Sequence, residues 1–97
     1  MAQQPCTYIM ASMKRGTLYI GVTRDIAMRC WMHREGKGSK FCARYRVKRL
    51  VHLEFFDLMA EAIAREKQLK NWRRQWKIEL IERDNPDWSD LFLRLNQ

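Results

Sequence analysis

Apolar positions gather first in two short runs, Thr7 to Met10 and Thr17 to Val22, and each predicts a β-strand. Between them, Met13-Lys14-Arg15-Gly16 predicts a turn in which Gly16 supplies a positive φ. The resulting hairpin brings Tyr8 and Tyr19 together. Asp25 predicts the cap of a helix from Ile26 to about Arg34, ended by Gly36 and Gly38. A basic loop follows, carrying Lys37, Lys40, Arg44 and Arg46. Val47, Val51, Leu53 and Phe55 lie at even spacing, so Arg46 to Phe56 reads as a third strand. Arg49 breaks its apolar face near the start and predicts a strand end open to solvent.

From Leu58 to about Arg83 the period becomes helical. Met59, Ala62, Ile63 and Leu69 make one face, while Trp72, Trp76 and Leu80 make a second at i, i+4, i+8. The change of face near Asn71 predicts a kink or two successive helices. Asn85-Pro86 predicts a turn, and Trp88, Leu91, Phe92 and Leu95 predict a short closing helix. Strands precede helices, so the expected class is α+β: a small three-stranded antiparallel sheet covered by helices. A length of 97 residues suits one domain spanning 1–97.

Charge narrows the range of partners. Nineteen Lys and Arg stand against eleven Asp and Glu, a net charge of +8, and such a field attracts polyanions, nucleic acid first among them. Two stretches concentrate it: Lys37, Lys40, Arg44, Arg46, Lys48 and Arg49, then Arg65, Lys67, Lys70, Arg73, Arg74 and Lys77. Either is a solvated surface or a salt-dependent, largely sequence-blind contact with phosphates. Trp72, Trp76 and Trp88 could stack on bases, but their helical spacing favours packing. No run reaches the roughly 20 apolar residues of a membrane span, and Met1 to Pro5 does not read as a signal peptide. Three cysteines, Cys6, Cys30 and Cys42, form no C-x-x-C, and with only His33 and His52 beside them no zinc site is expected. Reduced thiols in the cytoplasm are the simplest expectation.

The chemistry resides in a few positions. Glu66 falls on an otherwise apolar helix face, where an unpaired carboxylate is costly. It pairs with Lys70 at i+4, or it binds Mg²⁺ or Mn²⁺. Glu61 points away from that face and is expected to pair with Arg65. Arg29 and His33 lie one helical turn apart. A guanidinium suits bidentate contact with phosphate and lowers the pKa of a neighbouring tyrosine, and histidine transfers protons near neutrality. Each is equally at home on an exposed helix edge. Tyr8 and Tyr19 are cross-strand aromatics, or a general base helped by Arg29 and a cation.

Taken in order, Cys6-Thr7-Tyr8, Leu18-Tyr19-Ile20-Gly21, Arg29 with His33, Val47 to Val51, Glu61 to Lys70 and Asn85 to Trp88 resemble the GIY-YIG nuclease family. The likeness is to its small single-domain members, and to the catalytic domains of the bacterial excision-repair nuclease subunit and of GIY-YIG homing endonucleases. It implies a core over about 5–83, followed by a turn and short helix over 84–97. The implied activity is hydrolysis of a nucleic-acid phosphodiester, with DNA the favoured polymer, leaving a 5′-phosphate and a 3′-hydroxyl. It also implies one divalent cation, Mg²⁺ or Mn²⁺, on Glu66. By position, Tyr8 matches the tyrosine that helps activate water and Tyr19 the one that helps position phosphate and water. Arg29 matches the arginine that stabilises phosphate charge, and His33 falls where the family carries His or Tyr. The nucleic-acid contacts expected are Lys37, Lys40, Arg44, Arg46, Lys70 and Arg73. Cys6 and Thr7 depart from the family's Gly and Ile or Val. Ile78 stands where some relatives have Asn, with Asn85 a candidate counterpart. A role in DNA repair or turnover is expected, with a partner protein possible for targeting and no membrane. Two alternatives remain: a non-catalytic nucleic-acid-binding module of the same fold, and a basic adaptor for an acidic protein.

Overall fold

The computed structural model describes residues 3–95. Its elements run β1 (Cys6–Ala11), β2 (Leu18–Thr23), α1 (Ile26–Arg34), α2 (Lys40–Tyr45), β3 (Arg49–Phe55), α3 (Met59–Asn71), α4 (Arg74–Asp84), and a 3₁₀ turn at Leu91–Arg94. The three strands are antiparallel in the order β2-β1-β3, so the α+β class with a three-stranded antiparallel sheet holds. β1 carries no charge and is buried along its whole length, as a central strand covered on both faces requires.

Strand alternation divides β1 between two cores. Cys6, Tyr8 and Met10 face α1 and α2, packing with Ile26, Cys30, Cys42, Val47 and Leu50. Ile9 and Ala11 face the other way, with Ile20, Val51, Leu69, Ile78, Leu80, Ile81 and Trp88. Thr7 shares that second face and donates its hydroxyl to the Ala62 carbonyl at 2.7 Å, fixing α3 against the sheet. All three cysteines are buried free thiols, and burial pushes Cys6 and Cys30 up to about 12.

Several expectations need correction. The turn after β1 takes its positive φ at Arg15, not at Gly16. Gly16 supplies room instead, because a Cβ there would lie 2.4 Å from the Ser12 hydroxyl. The basic loop contains α2, capped by Ser39, whose hydroxyl accepts from the Cys42 amide at 3.0 Å. β3 therefore starts at Arg49, later than Arg46. The even spacing assigned to it fails at a bulge: Ile9 faces His52 and Met10 faces Leu50, which leaves Val51 as the additional residue. Val51 and Leu53 consequently pack on opposite cores. Arg49 is not at an open end, since its guanidinium donates to the Trp88 carbonyl at 3.1 Å.

Two successive helices replace one, as the change of face near Asn71 predicts; Trp72 and Arg73 are extended between them. Trp72 is half-buried and Leu80 buried, but Trp76 is largely exposed, so the second helical face is not continuous. Glu61 does not pair with Arg65. Its carboxylate accepts from the Leu58 amide at 3.2 Å, while Arg65 grips Glu54 with contacts of 2.8 and 3.1 Å. The closing helix is limited to Leu91–Arg94, and Trp88 sits before it at φ 56°, fully buried, its indole donating to Glu82 at 2.7 Å.

Candidate active site

Tyr8 pairs with Gly21 across the β1–β2 ladder, and Tyr19 pairs with Met10, so both tyrosines project from the face that meets α1. Asp25 caps α1, accepting from the Met28 amide at 3.1 Å. His33, in the last turn of that helix, turns inward to meet them. The Tyr8 hydroxyl and His33 Nε2 are 3.5 Å apart, and the imidazole centroid lies 5.5 Å from Tyr19 and 6.2 Å from Tyr8.

Two glycines leave space for this cluster. A Cβ on Gly21 would sit 2.4 Å from the Tyr8 hydroxyl oxygen, and one on Gly38 would sit 2.5 Å from His33 Nδ1. Gly38 thus has a steric role beyond ending α1, visible only once the His33 ring is placed. His33 Nδ1 is buried and has no hydrogen-bond partner among the described residues.

Burial and electrostatics sort the members. Tyr8 and His33 are covered, whereas Tyr19 and Arg29 are half-buried and keep solvent access. Burial, with a contribution from Tyr19, pushes the Tyr8 phenol far above its usual range, and the Arg29 charge offsets only part of this. Tyr8 is therefore a protonated phenol in the free protein. Burial, then the Arg29 charge, lowers the His33 pKa, so its imidazole is neutral at physiological pH and can accept a proton.

Glu66 is the outlier. Its carboxylate lies on α3, 17 % exposed and 3.6 Å from the Lys70 ammonium. Among the described residues, no hydrogen bond or ion pair joins it to Tyr8, Tyr19, Arg29 or His33. Nor do three His, Cys, Asp or Glu side chains converge on a metal-binding point among those residues. A single partly exposed carboxylate fits Mg²⁺ or Mn²⁺, which complete their shells with water and phosphate oxygens, and does not fit zinc. Asn85 is committed elsewhere: its side-chain amide donates to the Val51 and Ser89 carbonyls at 3.1 and 2.9 Å and accepts from the Ser89 amide.

Lys37, Lys40, Arg44, Arg46, Lys70 and Arg73 are all exposed. The first four lie on α2 and its flanks, the last two at the end of α3 and the break after it. Outside the expected set, Phe41 of α2 approaches Tyr19, with centroids 6.3 Å apart. The signal available in the sequence was an aromatic pair at i, i+4, Phe41 and Tyr45, inside the first basic stretch.

A three-stranded α+β domain whose first two strands each place a tyrosine in one cluster with a helical histidine has the architecture of a GIY-YIG domain. The chain belongs to that family: the model of the GIY-YIG catalytic domain matches residues 4–79. A UPF0213 protein of Staphylococcus saprophyticus is 41 % identical over 68 residues, covering 70 % of this chain and 83 % of that protein. A UPF0213 protein of Staphylococcus aureus strain Mu50 is 36 % identical over 67 residues, covering 69 % of this chain and 82 % of that protein. No solved structure gave a significant match. Among the described residues, no helix is long and apolar enough to cross a membrane.

Proposed function

We propose that the protein is a divalent-metal-dependent endonuclease that hydrolyses nucleic-acid phosphodiester bonds, with DNA as the favoured polymer. The observation that carries this reading is the Tyr8–Tyr19–His33 cluster, placed under the charge of Arg29 within a GIY-YIG domain. Arg29 and Tyr19, the members with solvent access, meet the phosphate: the guanidinium neutralises charge and the phenol orients the phosphate and the attacking water. Tyr8 and His33 form the interior half. A proton released as water attacks passes to the Tyr8 oxygen while the Tyr8 proton moves to His33 Nε2, so the phenol stays neutral and the imidazole ends protonated. Glu66 would hold Mg²⁺ or Mn²⁺ together with phosphate oxygens, and such an ion supplies Lewis-acid polarisation of the phosphate. Exposed Lys37, Lys40, Arg44, Arg46, Lys70 and Arg73 hold the polymer through its phosphates. The reading extends to work in the cytoplasm on DNA repair or turnover, with a partner protein choosing targets; the net charge of +8 supports its polyanionic substrate.

The decisive experiment is cleavage of labelled single-stranded, duplex, flap and branched DNA by the wild type and Glu66→Gln, with Mg²⁺, Mn²⁺ or EDTA. Metal-dependent cutting that the substitution abolishes is expected. Binding without cutting by either protein would favour the second reading, a non-catalytic nucleic-acid-binding module, for which the Lys70 contact of Glu66 speaks.

A further inference from the structure

Helix α2 is a weak element by its packing. Of its six residues only Cys42 is buried, while Phe41 and Tyr45 are 44 % and 46 % exposed. Their rings contact each other, with centroids 4.9 Å apart, and Phe41 continues to Tyr19 at 6.3 Å. Three aromatic rings thus form a row whose inner end is in the candidate active site and whose outer end is in water. Cations accompany it along the chain: Lys40 precedes Phe41, the Arg44 guanidinium lies over the Tyr45 ring 5.6 Å from its centroid, and Lys37, whose ammonium lies over the Trp31 ring, and Arg46 precede and follow the helix.

An i, i+4 aromatic pair on a helix explains the contact between Phe41 and Tyr45. It does not explain why both rings remain nearly half exposed within a basic stretch, or why the row is continuous with Tyr19. Cationic grooves carrying exposed aromatic rings suit one ligand in particular, a nucleic-acid strand whose phosphates meet the cations and whose bases stack on the rings. Bases within a duplex have both faces covered by neighbours, so only unpaired ones are available to such rings.

We propose that Phe41 and Tyr45 form a stacking platform for unpaired nucleobases, holding a single-stranded segment next to the phosphate at Tyr19 and Arg29. This rests on the nuclease reading for what happens at that phosphate. Phe41 and Tyr45 are positioning residues: they select strands that are single or splayed on this side of the cut, and they read base sequence weakly because every base offers a π face.

The test is fluorescence anisotropy of a short labelled oligothymidylate and of a duplex of equal length, in EDTA so that nothing is cut, across a series of salt concentrations. Phe41→Ala and Tyr45→Ala should each weaken single-strand binding by about tenfold, leaving the dependence on log salt and the duplex affinity unchanged. Phe41→Trp should retain single-strand affinity. Lys40→Ala should weaken both ligands and reduce the salt slope by about one. Wild-type affinity for the single strand in both alanine variants would overturn the platform, as would equal losses for the two ligands. A protein that never cleaves but shows this aromatic-dependent binding would refute the nuclease reading and retain the platform. One that cleaves while both alanine variants bind like wild type would do the reverse.

Discussion

The two faces of the central strand are covered equally and filled differently. Toward α3 and α4, Ile9, Val51, Leu69, Ile81 and Trp88 make a core in which the one β1 hydroxyl, that of Thr7, is satisfied by a helix carbonyl. Toward α1 and α2, a phenol, an imidazole and three thiols are buried, with an unpartnered imidazole nitrogen among them. Burying polar groups costs free energy that aliphatic packing does not. Toward α3 and α4, buried Thr7, His52 and Asn85 have hydrogen-bond partners, whereas the His33 nitrogen that has none among the described residues lies on the side of Tyr8 and Tyr19. One face is filled by aliphatic side chains and paired polar groups, and the other holds the polar cluster of the candidate site.

Exchanging damage between the faces separates these roles. Tyr8→Phe removes a single 3.5 Å contact, so metal-dependent cleavage should fall by about 10²–10⁴-fold, the usual worth of a proton-transfer group. Its melting temperature should stay within a few degrees of wild type. Leu69→Ala, on the opposite face, should lower unfolding free energy by about 2–5 kcal/mol in urea titrations, with cleavage per folded molecule preserved. Equal effects of the two substitutions on both readouts would erase the distinction. Gly21→Ala lies between them. Its Cβ would collide with the Tyr8 hydroxyl, so stability should drop by about 1–3 kcal/mol and cleavage should fall with it.

Protons offer a gentler probe. His33 has a lowered pKa in the folded chain, so below about 6.5 the unfolded chain binds a proton that the folded one resists. Stability from this group is complete above that pH and is lost as pH falls toward the folded value. Melting temperatures should therefore decline on acidification from pH near 7, and His33→Gln should flatten the decline. Glu54, across the sheet, behaves differently. Bonds from His52 and Arg65 bring its carboxyl down to about 2, so its contribution persists until pH falls below the usual carboxylate range and fades toward 2. The smallest effect expected is that of Lys70→Ala, which removes an exposed partner of Glu66: about 0.5 kcal/mol or less in stability, with tighter Mn²⁺ binding by calorimetry.

What the sequence disclosed follows from how local each signal is. Two strands, the capped helix α1 and the break between α3 and α4 are written in apolar periodicity, and the structure carries all four. The approach of Tyr8 to Tyr19 was legible in hairpin register, whereas His33 entered through the family resemblance, since its place on α1 fits an exposed helix edge equally well. Helix α2 was not legible, since a single buried residue, Cys42, leaves no period to detect. The bulge at Val51 was invisible because one additional residue alters every later face without altering composition. The Glu54–Arg65 pair joins a strand to a helix, and Arg65 had a plausible partner four residues away in Glu61. The burial of Tyr8 also required tertiary contacts.

The bond between Arg49 and the Trp88 carbonyl has a counterpart next to it: the Leu50 amide donates to the Asp90 carboxylate at 3.2 Å. β3 is an outer strand, and outer strands with free amides and apolar side chains are templates for pairing with another molecule. The segment from Trp88 to Asp90 occupies those groups where β3 begins. A chain shortened before Trp88 would lose its largest fully buried side chain and uncover that margin together, leaving a sheet edge prone to pair strand against strand.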